Sequence, residues 1–369
     1  MSFSDNFFAN TYFEARDKFL ELVSRAGGKA TSFENQTVDT AQQDTLATDV
    51  ALLKSERDDE SDSSSVLVLL SATHGVEGYC GSAIQNQFLE NWTMGSISRA
   101  HPIILVHAIN PFGMAHYRRV NEDNVDLNRN FVDFRSPLPK NPGYEQLHSA
   151  LVPKMWFGTE RDQAEAKIRK FTEENGQRAF QAAVVGGQFQ NSDGLFFGGS
   201  SPVWSNRTWH SIIRKHIRRY QQIAVIDFHT GLGPNGYGEP LFIGHAESSA
   251  YQSASNWYGS DLTCPGQDGS ASTSIQGPLL MALVNSLPKA DVIAIALEFG
   301  TYPIERVLKA LRADNWLSHY GDSRSELGIQ IKQEIREAFY PKSEIWKTKV
   351  LSRANEVIRQ ALSGLGENN

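Results

Sequence analysis

The sequence predicts an α/β protein built around a largely parallel sheet, and two observations predict it. Residues 66–70 (VLVLL), 103–108 (IILVHA), 223–228 (IAVIDF) and 292–297 (VIAIAL) are apolar runs rich in β-branched residues, with little polar alternation. That is the pattern of strands buried on both faces. Each run also ends in chemically loaded residues: His74 and Glu77, Asn110, His229, and Glu298. In open α/β sheets the carboxyl edge is where ligands bind, so four such ends point to one crevice. The 369 residues allow one large domain or two ordinary ones. No composition break marks a linker, so residues 1–369 read as a single catalytic domain. It carries an insertion at about 136–205 and a C-terminal helical tail at about 303–364.

In chain order, the N-terminal stretch MSFSDNFFANTYFEARDKFLELV has early acids and no uninterrupted apolar core. It reads as an amphipathic helix and not as a signal peptide. Residues 29–56 read as two strands, and the acidic, serine-rich stretch 56–64 as a solvated loop. The first buried run leads into a helix over 82–90. The second ends in Asn110-Pro111-Phe112-Gly113, a turn signal. Residues 144–181 read as largely helical. The glycine- and aromatic-rich loop 186–205 is either functional or a packed flap. A basic helix spans 206–220 and reads as a solvated face. A polar region extends to about residue 278, then a helix over 279–287. Three helices close the chain, over 304–317, 325–339 and 343–362.

Composition sets limits on function. A net charge of -7 argues against a general nucleic-acid binder. No apolar run approaches membrane-spanning length. Two cysteines, Cys80 and Cys264, make no disulfide framework. A cytoplasmic enzyme with no nucleic-acid or membrane partner is the expectation, and the oligomeric state stays open.

The residues at the strand ends suggest metal chemistry. His74 and Glu77, three apart on a strand-to-helix turn with Gly75 and Gly78, can aim at one point. An imidazole plus a carboxylate is two-thirds of a His2Glu zinc site, which leaves one position for water. His229 can supply the third ligand. Glu298 follows an entirely apolar strand, where a carboxylate needs a partner or a task. A water held between zinc and a glutamate is one such task, a salt bridge another. The stretch 115–131 (AHYRRVNEDNVDLNRNF) supplies arginines. Arg119, or its neighbour Arg118, and the pair Asn128-Arg129 are candidates for an oxyanion contact and a carboxylate fork. Local pairing with Asp123, Asp126 or Asp133 is the structural alternative.

Taken together, His74-x-x-Glu77, Asn110-Pro111, the run Val125-Asp126-Leu127-Asn128-Arg129-Asn130-Phe131, His229 and Glu298 resemble the zinc carboxypeptidase superfamily. The resemblance spans about 65–302 and includes the succinylglutamate desuccinylase and aspartoacylase branch. With the GLFFGG and PVWSN segments, the pattern is also similar to a bacterial carboxypeptidase-like family of undefined substrate. The resemblance implies a mixed, largely parallel sheet flanked by helices and one zinc ion per chain, held by His74, Glu77 and His229. It makes Glu298 the general base and acid, and Asn128 and Arg129 the grip on a substrate carboxylate. It also has Arg119 polarising the scissile carbonyl and Asp126 holding His74 in its ligating tautomer. Two departures stand out. A long insertion separates the two histidines, and Tyr237, Tyr258 and Tyr302 all remain eligible for the tyrosine that caps substrate in digestive carboxypeptidases.

The resulting reading is a zinc-dependent amide hydrolase, a metallocarboxypeptidase that cleaves beside a free C-terminal carboxylate with a metal-activated water. Its substrate is a small peptide or an acylated amino acid. An N-acyl amino acid deacylase of the desuccinylase/aspartoacylase type is the alternative. A non-catalytic, metal-dependent binder of peptide carboxylates is a second.

Overall fold

The computed structural model describes residues 6–38, 45–56, 64–267 and 270–367. Most of the expected acidic loop at 56–64, and the first residues of the N-terminal stretch, lie outside them. The elements in chain order begin with α1 (Tyr12–Arg25), β1 (Lys29–Glu34), β2 (Ala47–Leu53), β3 (Ser65–Leu70), α2 (Gly78–Thr93), β4 (Ile103–His107) and α3 (Pro111–Ala115). The middle of the chain forms α4 (Pro142–Leu151), α5 (Thr159–Asn175), α6 (Gln177–Val185) and α7 (Trp204–Ile212). Then come β5 (Gln222–Gly231), β6 (Gly238–Phe242), α8 (Ser249–Tyr258), α9 (Leu279–Ser286), β7 (Asp291–Gly300), α10 (Ile304–Tyr320), α11 (Glu326–Phe339) and α12 (Glu344–Glu367).

The sheet has seven strands in the order β1-β2-β4-β3-β5-β7-β6. The apolar runs form its parallel centre: β3 pairs with β4 and β5, and β5 with β7. Antiparallel pairs close both sides, β1 on β2 and β2 on β4 at one, β6 on β7 at the other. The sheet is therefore mixed with a parallel core. The chain passes from β3 to β4 on one side, and later adds β5 and β7 on the other. The strand order thus reverses between β3 and β5, and a crevice opens at their carboxyl ends.

Side-chain alternation divides the strands between two cores. Ala224, Ile226, Phe228, Ile293, Ile295 and Leu297 pack with α1, α2 and α12 on one face. Val225, Val66, Val68, Val292 and Ala294 pack with α7 and α9 on the other. By the same period of two, Asp227, His229, Ala296 and Glu298 belong to the α9 face. Helix α12 buries Trp346, Val350, Ala354 and Ile358 in the first core, so this last helix is part of the sheet's cover, whereas α10 and α11 bury their apolar faces in separate clusters.

Several elements differ from the sequence expectation. The polar region before α9 contains β6 and α8. The strand GEPLF is short and carries Gly and Pro, and among the described residues its strand partner is β7, so tertiary pairing decides it where local pattern does not. Helix α8 starts at a Ser248 cap that accepts from Tyr251 N–H. Strands β5 and β7 run on through His229 and Glu298, which lie within the sheet and not beyond it. No helix among the described residues is long and apolar enough to cross a membrane. Both cysteines are free and buried.

Candidate active site

His74 follows β3 and precedes a 3₁₀ turn, Gly75–Glu77, that runs straight into α2. The turn sets His74 Nδ1 3.0 Å from Glu77 Oε1. Gly75 is required there, because a Cβ would lie 2.0 Å from the carbonyl carbon of Gly113. Backbone bonds from Gly75 and Val76 N–H to the carbonyls of Arg119 and Arg118 lay the arginine segment along the turn. From β5, His229 brings Nδ1 to 3.1 Å from Glu77 Oε2 and 3.2 Å from His74 Nδ1. The ligating atoms of these three buried residues lie within 4.8 Å of one another.

The far nitrogen of each imidazole faces a carboxylate. His74 Nε2 is 3.1 Å from Asp126 Oδ1, and His229 Nε2 is 2.7 Å from Asp227 Oδ2. Thr73 braces Asp227 by donating its hydroxyl at 2.9 and 3.0 Å. A carboxylate at Nε2 draws the proton there and leaves the Nδ1 lone pair for a metal. Asp126 also accepts from Asn128 N–H at 3.0 Å, which fixes its orientation.

Charge supports the same fit. Four buried carboxylates, Glu77, Asp126, Asp227 and Glu298, share this buried region with the guanidiniums of Arg119 and Arg129. With both imidazoles in their neutral, ligating form, the four carboxylates outnumber the two guanidiniums, an excess that a divalent cation would correct. Burial alone would raise Glu77 and Asp126. Nearby His74 and His229 for Glu77, and Arg119 and His74 for Asp126, hold both well below the usual carboxylate range. Burial opposes the charge on His229, yet Asp227 and Glu77 carry it well above an ordinary imidazole. Glu298 goes the other way: burial, reinforced by Glu77, pushes it up to about 7. Its Oε1 accepts from Leu232 N–H at 3.0 Å.

Of the two adjacent arginines, Arg119 is the one that reaches the site. Its Nη1 lies 3.0 Å from Glu77 Oε1, its Nε 3.0 Å from Asp126 Oδ2, and its Nη2 2.8 Å from His74 Nε2. Arg118 turns away to Asp314 at 3.1 Å and Asn124 at 3.0 Å. Asn110 is not in the cavity lining. It caps α3, accepting from Gly113 N–H, and holds the Arg119 carbonyl through its amide.

Arg129 and Asn128 line the same cavity. Arg129 donates to the carbonyls of Asn128 and Val185, and its Nε is buried without a partner. Burial pushes it down to about 10. The Asn128 side-chain oxygen accepts from Leu279 N–H at 3.0 Å, so its amide nitrogen is the group it has to offer. Residues 187–196 support this end. Phe196 lies under both guanidiniums, with ring centroids 5.2 Å from Arg119 and 5.7 Å from Arg129. Gly187, at φ +92°, lets Arg129 pass where a Cβ would meet its Cδ at 2.5 Å.

The cavity has a volume of about 100 Å³, and a larger one of about 480 Å³ adjoins it at Leu232, along residues 231–235 and 301–304. Tyr302 lines that second cavity. Tyr237 and Tyr258 line neither. Sequence reasoning missed Asp227, the Leu232 N–H and the wall formed by residues 265–280. Asp227 had a usable signal, an acid two residues before a strand-borne His on the same face. The wall had none, since its residues come from an irregular loop and α9.

The sequence matches the family described as Protein of unknown function (DUF2817) over residues 8–353, so the chain belongs to that family. Among curated protein sequences none matches. Of solved structures, a chain of the bovine thrombin-activatable fibrinolysis inhibitor complex with tick carboxypeptidase inhibitor is similar at 10% identity and TM-score 0.50, covering 99% of each chain. Carboxypeptidase A from Helicoverpa armigera is similar at 14% identity and TM-score 0.46, covering 90% of this chain and 75% of that one. An aspartoacylase family protein from Mesorhizobium loti is similar at 15% identity and TM-score 0.38, covering 80% and 67%. The fold is carboxypeptidase-like.

Proposed function

We propose that this DUF2817 protein is a metal-dependent amide hydrolase that cleaves beside a free carboxylate, acting as a carboxypeptidase on short peptides. The observation that carries this reading is the convergence of His74, Glu77 and His229, with each imidazole backed by its own carboxylate. Zinc is the ion this donor set suits, about one per chain. When bound, it supplies Lewis acidity, lowering the pKa of water and polarising a carbonyl oxygen.

The chain's own residues do the rest. Glu298, raised to about 7 by burial and Glu77, accepts a proton from the attacking water and returns it to the leaving amine nitrogen. Its Leu232 contact keeps one oxygen fixed while the other works. His74 Nε2 has two claimants: Asp126 needs a proton there, and the Arg119 N–H needs a lone pair. In the ligating tautomer the proton goes to Asp126, and that Arg119 N–H becomes free to donate to the oxygen of the scissile amide. Arg129 and Asn128 hold the substrate carboxylate. The adjoining cavity beyond Leu232 offers room for further residues of the acyl half, which favours a peptide over a compact acyl group.

Metal analysis and turnover on the same preparation test this reading. The protein should hold about one divalent ion per chain, hydrolyse N-acylated peptides with free C-termini, lose activity on chelation and regain it with zinc. Faster cleavage of short N-acyl amino acids than of tripeptides would move the assignment to a deacylase. Absence of both metal and hydrolysis would overturn it.

A further inference from the structure

We infer that the leaving half of the substrate is an amino acid with an uncharged, apolar side chain, seated in the cavity wall between Arg129 and the β6 edge. The inference rests on the hydrolase reading above and applies equally to a peptide and to an N-acyl amino acid, because both release the same half. The wall is built by Val185, Leu241, Ile243, Ile275, Leu280 and Ala296. These residues come from α6, β6 and the segment after it, the loop before α9, α9 itself and β7. Ala296 pairs in register with Asp227 on one side and Leu241 on the other, so this apolar row runs across the sheet from the metal site outward. The small Ala296 side chain leaves space there.

Charge placement among the described lining residues argues against a charged side chain. Among the described residues lining the cavity, the ionisable ones are His74, Arg119, Arg129, Asp227, His229 and Glu298. All of them belong to the metal site or the carboxylate grip. Asp227 is committed to His229 and Thr73, so a lysine or arginine side chain would meet no free carboxylate among the described residues of the lining. The buried polar atoms of the lining that lack a partner are Arg129 Nε and Thr273 Oγ1. One guanidinium and one hydroxyl can serve one carboxylate, and a glutamate or aspartate side chain would bring a second. An unpaired charge in such a wall is strongly disfavoured, whereas an apolar side chain is favoured. The cavity's volume of about 100 Å³ holds several waters at about 10–15 Å³ each, enough for one aliphatic or aromatic side chain.

The test uses the zinc-loaded protein and a series of N-acetyl amino acids and N-acetyl-diglycyl tripeptides ending in alanine, leucine, methionine, phenylalanine, glutamate or lysine. We expect kcat/KM for the leucine, methionine or phenylalanine members to exceed that for glutamate and lysine by about tenfold or more. Ala296→Leu should shift selectivity toward alanine over phenylalanine by about tenfold, mainly through KM. Calorimetric binding of the same N-acetyl amino acids to zinc-loaded Glu298→Gln gives a readout independent of turnover and should follow the same order. Equal or better handling of glutamate or lysine would overturn the inference. Selective apolar binding without turnover in the unsubstituted protein would support the pocket and remove the hydrolase reading. No binding and no turnover across the series would overturn both.

Discussion

The two ends of the cavity are built on opposite electrostatic terms, and their arginines show it. Arg119 touches Glu77 and Asp126, and those carboxylates outweigh burial and raise its pKa. Arg129, ten residues on and over the same Phe196 ring, bonds to backbone carbonyls and has Asp126 no closer than 4.0 Å. Burial wins there and lowers its pKa to about 10. The His74–Glu77–His229 end, with its imidazoles neutral, thus holds an excess of anions that calls for a cation. The other end holds a buried cation, with an unpartnered N–H, that calls for an anion. A substrate with a carboxylate at one end and a polarisable amide toward the other spans that difference.

The largest expected effect comes from removing the proposed metal ligands. His74→Ala or His229→Ala should each abolish stoichiometric zinc binding, and turnover with it, since two ligands cannot hold the ion as three do. Retention of full metal in both variants, read by elemental analysis, would break the assignment. Next comes Glu298→Gln. It keeps the shape and the contact with Leu232 N–H, but it cannot take a proton. We expect metal and substrate binding to persist and kcat to fall about 10²-fold or more. Near-normal kcat with full metal would reduce Glu298 to a buried structural carboxylate. A smaller effect should follow Asp227→Asn. The amide oxygen can still accept from His229 Nε2–H, but the negative charge is gone, so zinc affinity should drop about 10- to 100-fold. Equal affinity in competition with a chelator would mean that Asp227 serves the fold alone.

These two ends were unequally legible in the sequence. The four unalternated runs fixed the parallel core of the sheet because burial on both faces leaves no other pattern. His74 and Glu77 were legible because one local turn brings them together. His229 and Glu298 were legible as polar residues at the ends of apolar runs, although the strands continue through them. Asp126 stood out through the Asp-Leu-Asn-Arg-Asn-Phe run. Asp227 was passed over inside an apparently apolar strand, yet it is buried opposite Ala296 and committed to His229. The apolar wall was illegible for a different reason. Val185 in α6 lies far in sequence from Ile275 and Leu280, which come from an irregular loop and α9, and only the tertiary fold places them together beside Arg129. Strand β6 was lost because Gly238 and Pro240 read as turn residues when the pairing with β7 is unknown.

The subtlest test of the contrast is Arg129→Lys, which keeps a positive charge and removes the planar fork. Two effects should follow, and both concern binding more than chemistry. First, KM for substrates with a free carboxylate should rise about tenfold at neutral pH, with kcat little changed, because one N–H···O contact to a charged group is lost. Second, the site that already depresses an arginine to about 10 should depress a lysine below its ordinary value of about 10.4, since burial disfavours the charged form. As pH rises, the variant's ammonium then deprotonates while the unsubstituted arginine stays charged. The KM ratio between variant and parent should therefore widen as pH rises above neutral and level off below it, at the value set by the lost fork. C-terminally amidated peptides provide the control. They lack the anion, so they should be poor substrates for both proteins, with a ratio that does not change with pH. A pH-independent ratio for free-acid substrates, or equal cleavage of amidated ones, would show that Arg129 does not grip the carboxylate.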